Sequence, residues 1–415
     1  MNDPLIDSRT AWVIAAAQVG LITMAMGSTY LLWVGLKPIA LDFGWPREVP
    51  SLASALQMIG TGLGGIAMGR WFDRAGLGGP LVAGALALGG GAILTFFIDA
   101  AWQLHAINFL LIGFIGIGAM FAPLLTNTTR WFERRRGLAV AVVASGQGLA
   151  GAIWPPVFRL GIDTIGWRET YLVYGLVSLA VMLPLIPAVV RRAPAISAQQ
   201  LLSAQGSGTA VAGMPRHVPH ALMSAGILTC CVAMAVPLVH IVAHVSDLGF
   251  GPARGAELLA FILALSFISR IAIGWFADRV GAFVSLLIGS GLQAAGLAVF
   301  ALADGLGGLF LAALLFGSGF GGLIPCYAVA ARALYRPADV GWRIGVIYFA
   351  GSIGMAVGGW VAGVLFDQHG SYAIAFQFAL AFNLVNLAVL AVLAGAVRRA
   401  RSLTPSVAPG PGGAP

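Results

Sequence analysis

Arg270 is the side chain whose type and position most demand a chemical role. It stands inside AFILALSFISRIAIGWFADR, eight residues ahead of Asp278. At 1.5 Å per helical residue, that places it about 12 Å from the charged end of the run. A guanidinium at such depth in a bilayer costs about 2.5–3.5 kcal/mol. That cost is offset if its planar fork of N–H donors faces a wet cavity and takes a carboxylate bidentately. No acid in the neighbouring apolar runs offers a partner. Arg270 is therefore expected to bind an anionic substrate; the competing reading is a structural arginine held by backbone carbonyls. His240 and His244 lie four residues apart and share one helix face. An imidazole titrates near pH 6.5, so either is a candidate for proton coupling. Packing of His240 through a hydrogen bond, with His244 merely marking the outer interface, is the plainer alternative. With no third ligand in view, the pair does not make a zinc site, and no metal or other cofactor is expected.

The elements that position these residues follow from composition. Of the 415 residues 59% are apolar and only 9% charged, against roughly a quarter charged in soluble domains. So few charges cannot make a surface compatible with water, and lipid is the solvent that fits. The apolar runs are continuous rather than alternating, which excludes a β-barrel in favour of helices of about 20 residues each. The formal net charge of +8 comes almost entirely from arginine, Lys37 being the only lysine. It reads as charge collected on one side of a membrane, because no basic, aromatic-interleaved soluble domain for nucleic acid is present. Cys230, Cys231 and Cys326 all fall in apolar runs and are read as packing residues.

Breaking the chain at charges and turn residues predicts spans near 11–36, 50–70, 78–98, 104–128, 137–159 and 168–190. A second set follows near 219–245, 255–276, 283–303, 306–331, 343–365 and 372–396. Residues 1–190 and 219–397 thus form two six-helix bundles, joined by a polar small-residue linker at 191–218 and followed by a disordered tail at 398–415. The N-terminal MNDPLIDSRT, with two acids and one arginine ahead of a long apolar run, is expected to lead into a retained first span rather than to be a cleavable leader. Placing both termini in the cytoplasm assigns 17 of the 23 basic residues to that side and five to the other, a firm positive-inside bias. The halves also repeat each other. GRWFDRAG at 69–76 returns as GWFADRVG at 274–281, and GWRETYLVYG at 166–175 pairs with GSYAIAFQFA at 370–379 at nearly the same offset. A duplicated unit related by an axis along the membrane normal follows.

The repeated GxxxDRxG resembles the signature loop of the major facilitator superfamily. Its glycines permit a tight turn, and its acid and base (Asp73, Arg74 and Asp278, Arg279) can pair with neighbouring helix ends and loops. These four are expected to act in gating on the cytoplasmic side. WFERRRGLAVAVVASGQGLAG (131–151), GWRETYLVYG, PLVHIVAHVSDLGF (237–250) and the run at 348–376 are similar to bacterial members of the monocarboxylate-transporter type. The resemblance covers essentially the whole chain and implies an all-α fold of twelve transmembrane helices in two pseudo-symmetric bundles. It implies a substrate-anion role for the helix 8 arginine, matched by Arg270, and a central path lined by helices 1, 4, 7 and 10. On those helices and on helix 5, Tyr30, Phe121, Gln147, Phe320 and Tyr327 become substrate-binding candidates, each with packing as the competing reading. Three departures stand out. Ser266 occupies the place of an aspartate found in several animal relatives, Tyr30 falls near that of a helix 1 lysine, and Gly351 near that of a second helix 11 cation. A lone intramembrane cation suits a monoanion.

The expectation is therefore a secondary active transporter of a small organic monoanion, a monocarboxylate, moved with a proton by rocking of two bundles. An anion exchanger or an exporter of amphipathic compounds is the alternative within this class, and a non-transporting membrane sensor the alternative outside it. No GxxxxGK[ST] loop is present and the intramembrane titratable inventory is too thin for an enzyme. A monomer is expected, with membrane lipid as its surroundings. The arginine-rich, lysine-poor usage points to a bacterial inner membrane.

Overall fold

The computed structural model describes residues 6–132, 135–190, 215, 217–335 and 337–403. Among them are twelve helices long and apolar enough to cross a membrane: α1 (Arg9–Phe43), α2 (Glu48–Ala75), α3 (Gly78–Phe96), α4 (Ala101–Trp131), α5 (Leu138–Ile165) and α6 (Trp167–Val189), then α7 (His217–Asp247), α8 (Pro252–Ala277), α9 (Ala282–Leu302), α10 (Leu306–Ala331), α11 (Arg343–His369) and α12 (Ala373–Arg399). The predicted spans coincide with them one for one. Of the predicted linker, His217 and Val218 already belong to α7, and most of the remainder lies outside the described residues. The helix of α12 continues to Leu403, which corrects the reading of 398–403 as tail; 404–415 lie outside the described residues. An even number of spans brings both termini to one end of the bundle, here called the proximal end, opposite the distal end.

The helices begin and stop for local reasons. Ser8 caps α1, its Oγ accepting from the Ala11 N–H at 3.2 Å. Gly44 ends that helix in the left-handed region at φ 63°. Gly76 and Gly281, the last glycines of the repeated motif, have φ of 81° and 92°, so the turns after α2 and α8 need glycine as the sequence indicated.

The packing pattern repeats between halves. In the first, α2 packs on α4, α3 on α6, and α1 on α5; in the second, α8 packs on α10, α9 on α12, and α7 on α11. The halves meet through α2 against α11, α5 against α8, and α1 against α7. Without a hydrophobic force between helices in lipid, this packing rests on small residues that let backbones approach. A methyl at Gly64 would stand 1.9 Å from the Phe114 carbonyl oxygen of α4. Three spans are not continuous, and α5 is one of them, turning at Ser145 between Ala144 and Gly146. α4 holds a π-helical stretch, Ile107–Ile117, and changes direction at Phe121 ahead of Pro123, while α10 is interrupted after Phe320 by Gly321 and Gly322.

Candidate functional site

The interruption of α10 frees backbone groups, and Arg270 uses one of them. Its Nε donates to the Gly321 carbonyl at 3.2 Å. Its Nη1 crosses to the other half and donates to the Ala144 carbonyl at 3.3 Å. Ala144 ends the first helical segment of α5, and the chain resumes its helix at Gly146, so that carbonyl is spare for the same reason. Tyr30 reaches the same stretch from α1, its Oη donating to the Gln147 carbonyl at 3.3 Å. Arg270, Tyr30 and residues 144–147 thus converge where the two halves face each other, with Tyr30 and Tyr348 the phenols within electrostatic reach of the guanidinium. Among the described residues, Arg270 has no carboxylate within ion-pairing distance. It is a cation partly held by carbonyls, with further N–H donors available for a bidentate anion.

The other candidates divide. Gln147 belongs to this site through its backbone. Phe121 and Phe320 sit at the interruptions of α4 and α10; Phe121 is half-buried, while Phe320 stacks on Phe316 at a centroid distance of 5.1 Å within its own bundle. Tyr327 is fully buried, and its Oη donates to Asn386 Oδ1 at 2.7 Å. Asn386 in turn donates to Ser290, which donates to Asn383, so Tyr327 anchors a satisfied polar network inside the second half. Asp73, Arg74 and Arg279 are exposed at the proximal end and make no hydrogen bond or ion pair among the described residues; Arg279 lies over its own helix's Trp275 at 3.7 Å. The side chain of Asp278 lies outside the described residues.

His240 is fully buried. Its Nε2 stands 2.7 Å from the Gly359 carbonyl, which can only accept, so Nε2 carries the proton. Nδ1 then accepts from the Tyr372 hydroxyl at 3.1 Å. His244 packs edge-on against Tyr372 and Phe376.

Tyr372 leads to a cluster that sequence reasoning missed. At the distal end, Arg47 of the first half donates bidentately to Asp247 of the second, Nη2 to Oδ1 at 2.8 Å and Nη1 to Oδ2. Arg47 Nη1 also reaches the Tyr372 oxygen at 2.9 Å, and the guanidinium lies over the Phe366 ring at 3.8 Å. Lys37 adds a second cation, its Nζ donating to Asp247 Oδ1 and Ser246 Oγ, each at 2.8 Å. Asp367, from the second half, accepts from the backbone N–H of Arg47 and of Glu48 at 3.0 and 2.7 Å, capping α2 from across the interface. One signal was available: Asp247 continues the stripe of His240 and His244 down one face of α7. Its partners, some 200 positions away, carried none.

A family model described as "Major Facilitator Superfamily" matches residues 19–337. The chain belongs to the Major Facilitator Superfamily. As a member, it is a multi-pass membrane transporter rather than an enzyme. Among curated relatives, monocarboxylate transporter 13 of Bos taurus is 27% identical over 350 residues, covering 83% of this chain and 79% of that protein. Monocarboxylate transporter 11 of Homo sapiens is 27% identical over 401 residues, covering 89% and 80%. An uncharacterized MFS-type transporter from Bacillus subtilis is 23% identical over 360 residues, covering 84% and 86%. Among solved structures, a bacterial homologue of the human lysosomal transporter Spinster, inward-facing and unoccupied, superposes with a TM-score of 0.72 at 14% identity, covering 97% of this chain and all of that one. That likeness concerns the fold.

Proposed function

We propose that this superfamily member is a proton-coupled symporter of a small organic monoanion, a monocarboxylate, working by alternating access across a bacterial inner membrane. Both termini and the Asp73/Arg74 and Asp278/Arg279 turns face the cytoplasm, and the distal cluster faces outside. The observation that carries the reading is Arg270: an intramembrane guanidinium with no carboxylate partner among the described residues, held between the halves by one carbonyl from each. A carboxylate bound there takes the remaining N–H donors, with the Tyr30 hydroxyl as a further donor once it leaves Gln147. The similarity to monocarboxylate transporters supports the same class of anion. A single such cation favours a monoanion over a dianion.

Substrate in this position would replace Arg270's bond to Ala144, which belongs to the other half. Binding and the relative position of the halves are thereby linked, as alternating access requires. His240 and His244 take part in proton coupling as neighbours of the distal cluster, through Tyr372.

The test is uptake of labelled L-lactate and pyruvate into proteoliposomes, with and without an inward proton gradient. Wild type is expected to accumulate label under the gradient. Arg270→Ala should lose about 100-fold in uptake, the equivalent of roughly 3 kcal/mol for a charged hydrogen-bonded pair, while eluting as a folded protein. Undiminished uptake by the variant would make Arg270 structural and remove the main support for the anion.

A further inference from the structure

The distal cluster carries an inference about where the proton acts. It rests on the reading of proton-coupled anion transport above. Three features of the cluster matter. The two cations, Lys37 and Arg47, both belong to the first half, and the carboxylate they share, Asp247, belongs to the second. Both oxygens of that carboxylate are engaged by these cations. The group is half-shielded, with Arg47 and Asp247 side chains 12% and 24% exposed, so their attraction is less screened than at an open surface.

We propose that Asp247 is a further proton-coupling residue beside His240 and His244: charged, it draws the two halves together at the distal end, and protonated, it lets them part. The step adds one proton to one carboxylate oxygen and breaks no covalent bond. It leaves Lys37 and Arg47 without their shared counter-ion, and two uncompensated cations on one half are stabilised by water, which reaches them when the end opens. The sign follows from linkage. The closed end holds the carboxylate among cations and disfavours its protonation; the open end does not, so acid on the distal side shifts the protein toward the open conformation. Opening also presents Lys37 and Arg47 to an approaching anion, so that proton and anion load at the same end.

Other charged and titratable groups belong to the elements around the cluster. On its own helix there is His244, itself in electrostatic reach of Asp304 between α9 and α10. Ahead of α12 stands Tyr372, and at the end of α11 Asp367. Glu48 begins α2 and accepts from Trp360 at 3.3 Å. Lysine and arginine keep their charge, and the tyrosine stays neutral, throughout the working range. Asp367 holds backbone N–H groups across the interface but, among the described residues, no side-chain cation, so its protonation removes the weaker tie. Asp247 is the group whose protonation cancels ion pairs between the halves. Beside it, a cavity of about 270 Å³ is lined by Lys37, Arg159 and Ser246 on its polar side and by Val34, Ile162 and Val242 on the other. It gives a released Lys37 side chain, or an entering amphipathic anion, somewhere to go.

The experiment needs no substrate. Leu41 and Leu302 lie at the distal end, one in each half, and are 71% and 80% exposed. Spin labels at Leu41→Cys and Leu302→Cys report the opening by pulsed EPR, with the buried native cysteines left in place. Between about pH 7 and about pH 3, a range that spans the ordinary carboxylate titration near pH 4, the distance in the otherwise unaltered protein is expected to lengthen. Asp247→Asn should be long at both pH values, and Asp247→Glu should restore the response. Lys37→Gln, which leaves the carboxylate one cation, should open at a pH higher by about one unit. That variant decides the matter if Asp247→Asn does not fold. A distance that ignores pH in the unaltered protein, a normal response in Asp247→Asn, or an unmoved midpoint in Lys37→Gln would each overturn the proposal. A separate arm measures lactate uptake. Asp247→Asn should lose about tenfold of the gradient stimulation while keeping lactate exchange at equal pH. If the wild type carries no lactate, the monocarboxylate reading fails alone, and the distances still decide the role of Asp247.

Discussion

The two ends of this transporter use charge in opposite ways. The proximal end carries the recognisable sequence signature, GxxxDRxG twice, and its members Asp73, Arg74 and Arg279 stand exposed with no ionic partner among the described residues. The distal end has no motif, yet it holds the halves together through Arg47, Lys37, Asp247 and Asp367. The first-half helices α1 and α2 supply the cations and the helix N-terminus, and the second-half helices α7 and α11 supply both carboxylates. Motif residues mark turns at which each half is built alike. Residues that close an end must instead be complementary between halves, so duplication cannot write them as a repeat. What is conspicuous in the sequence is therefore not what holds the conformation seen here.

The comparison can be broken by substitution. Arg47→Ala is expected to have the largest effect. It removes a bidentate ion pair, the stacking on Phe366 and the bond to Tyr372 together, worth about 2–4 kcal/mol for a close charge pair with one partner lost. The distal label distance should lengthen even at neutral pH; an unchanged distance would mean that helix packing, not the ion pair, holds that end. Asp367→Asn should come next, weakening the cross-interface cap on α2 by about 1 kcal/mol and showing a partial lengthening by the same measurement. Arg74→Ala should change the distal distance least, by an equivalent of under about 0.5 kcal/mol, since it is exposed and unpaired in this conformation. If Arg74→Ala opened the distal end as far as Arg47→Ala, the division of labour between the ends would be wrong.

Much of the fold was readable beforehand. Apolar runs of this length have few stable solutions in lipid, and the predicted spans agree with the helices within a few residues at most ends. The positive φ of Gly76 and Gly281 was implicit in the motif. Arg270 was readable because a charge inside an apolar run is conspicuous whatever surrounds it. Its partners were not. The carbonyls of Gly321 and Ala144 are spare because α10 and α5 are interrupted, and FGSGFGGLIP or VVASGQG gives no sign of which side chain will claim them. Tyr327 has a partner that was equally illegible. A tyrosine on a path-lining helix suggested substrate, but Asn386 of α12 lies behind it and takes its hydroxyl into the bundle.

The sequence by itself determined the solvent, the number of spans, the duplication and the presence of one cation that lipid alone would not tolerate. Each follows from transfer free energies and chain repetition, which need no knowledge of neighbours. Only the tertiary structure decided the pairings: Arg47 with Asp247, Asp367 with the start of α2, and His240 with Tyr372 and Gly359. An ion pair is an interaction between positions that the fold brings within a few ångströms, and charge alone does not say which of several acids a given arginine will meet.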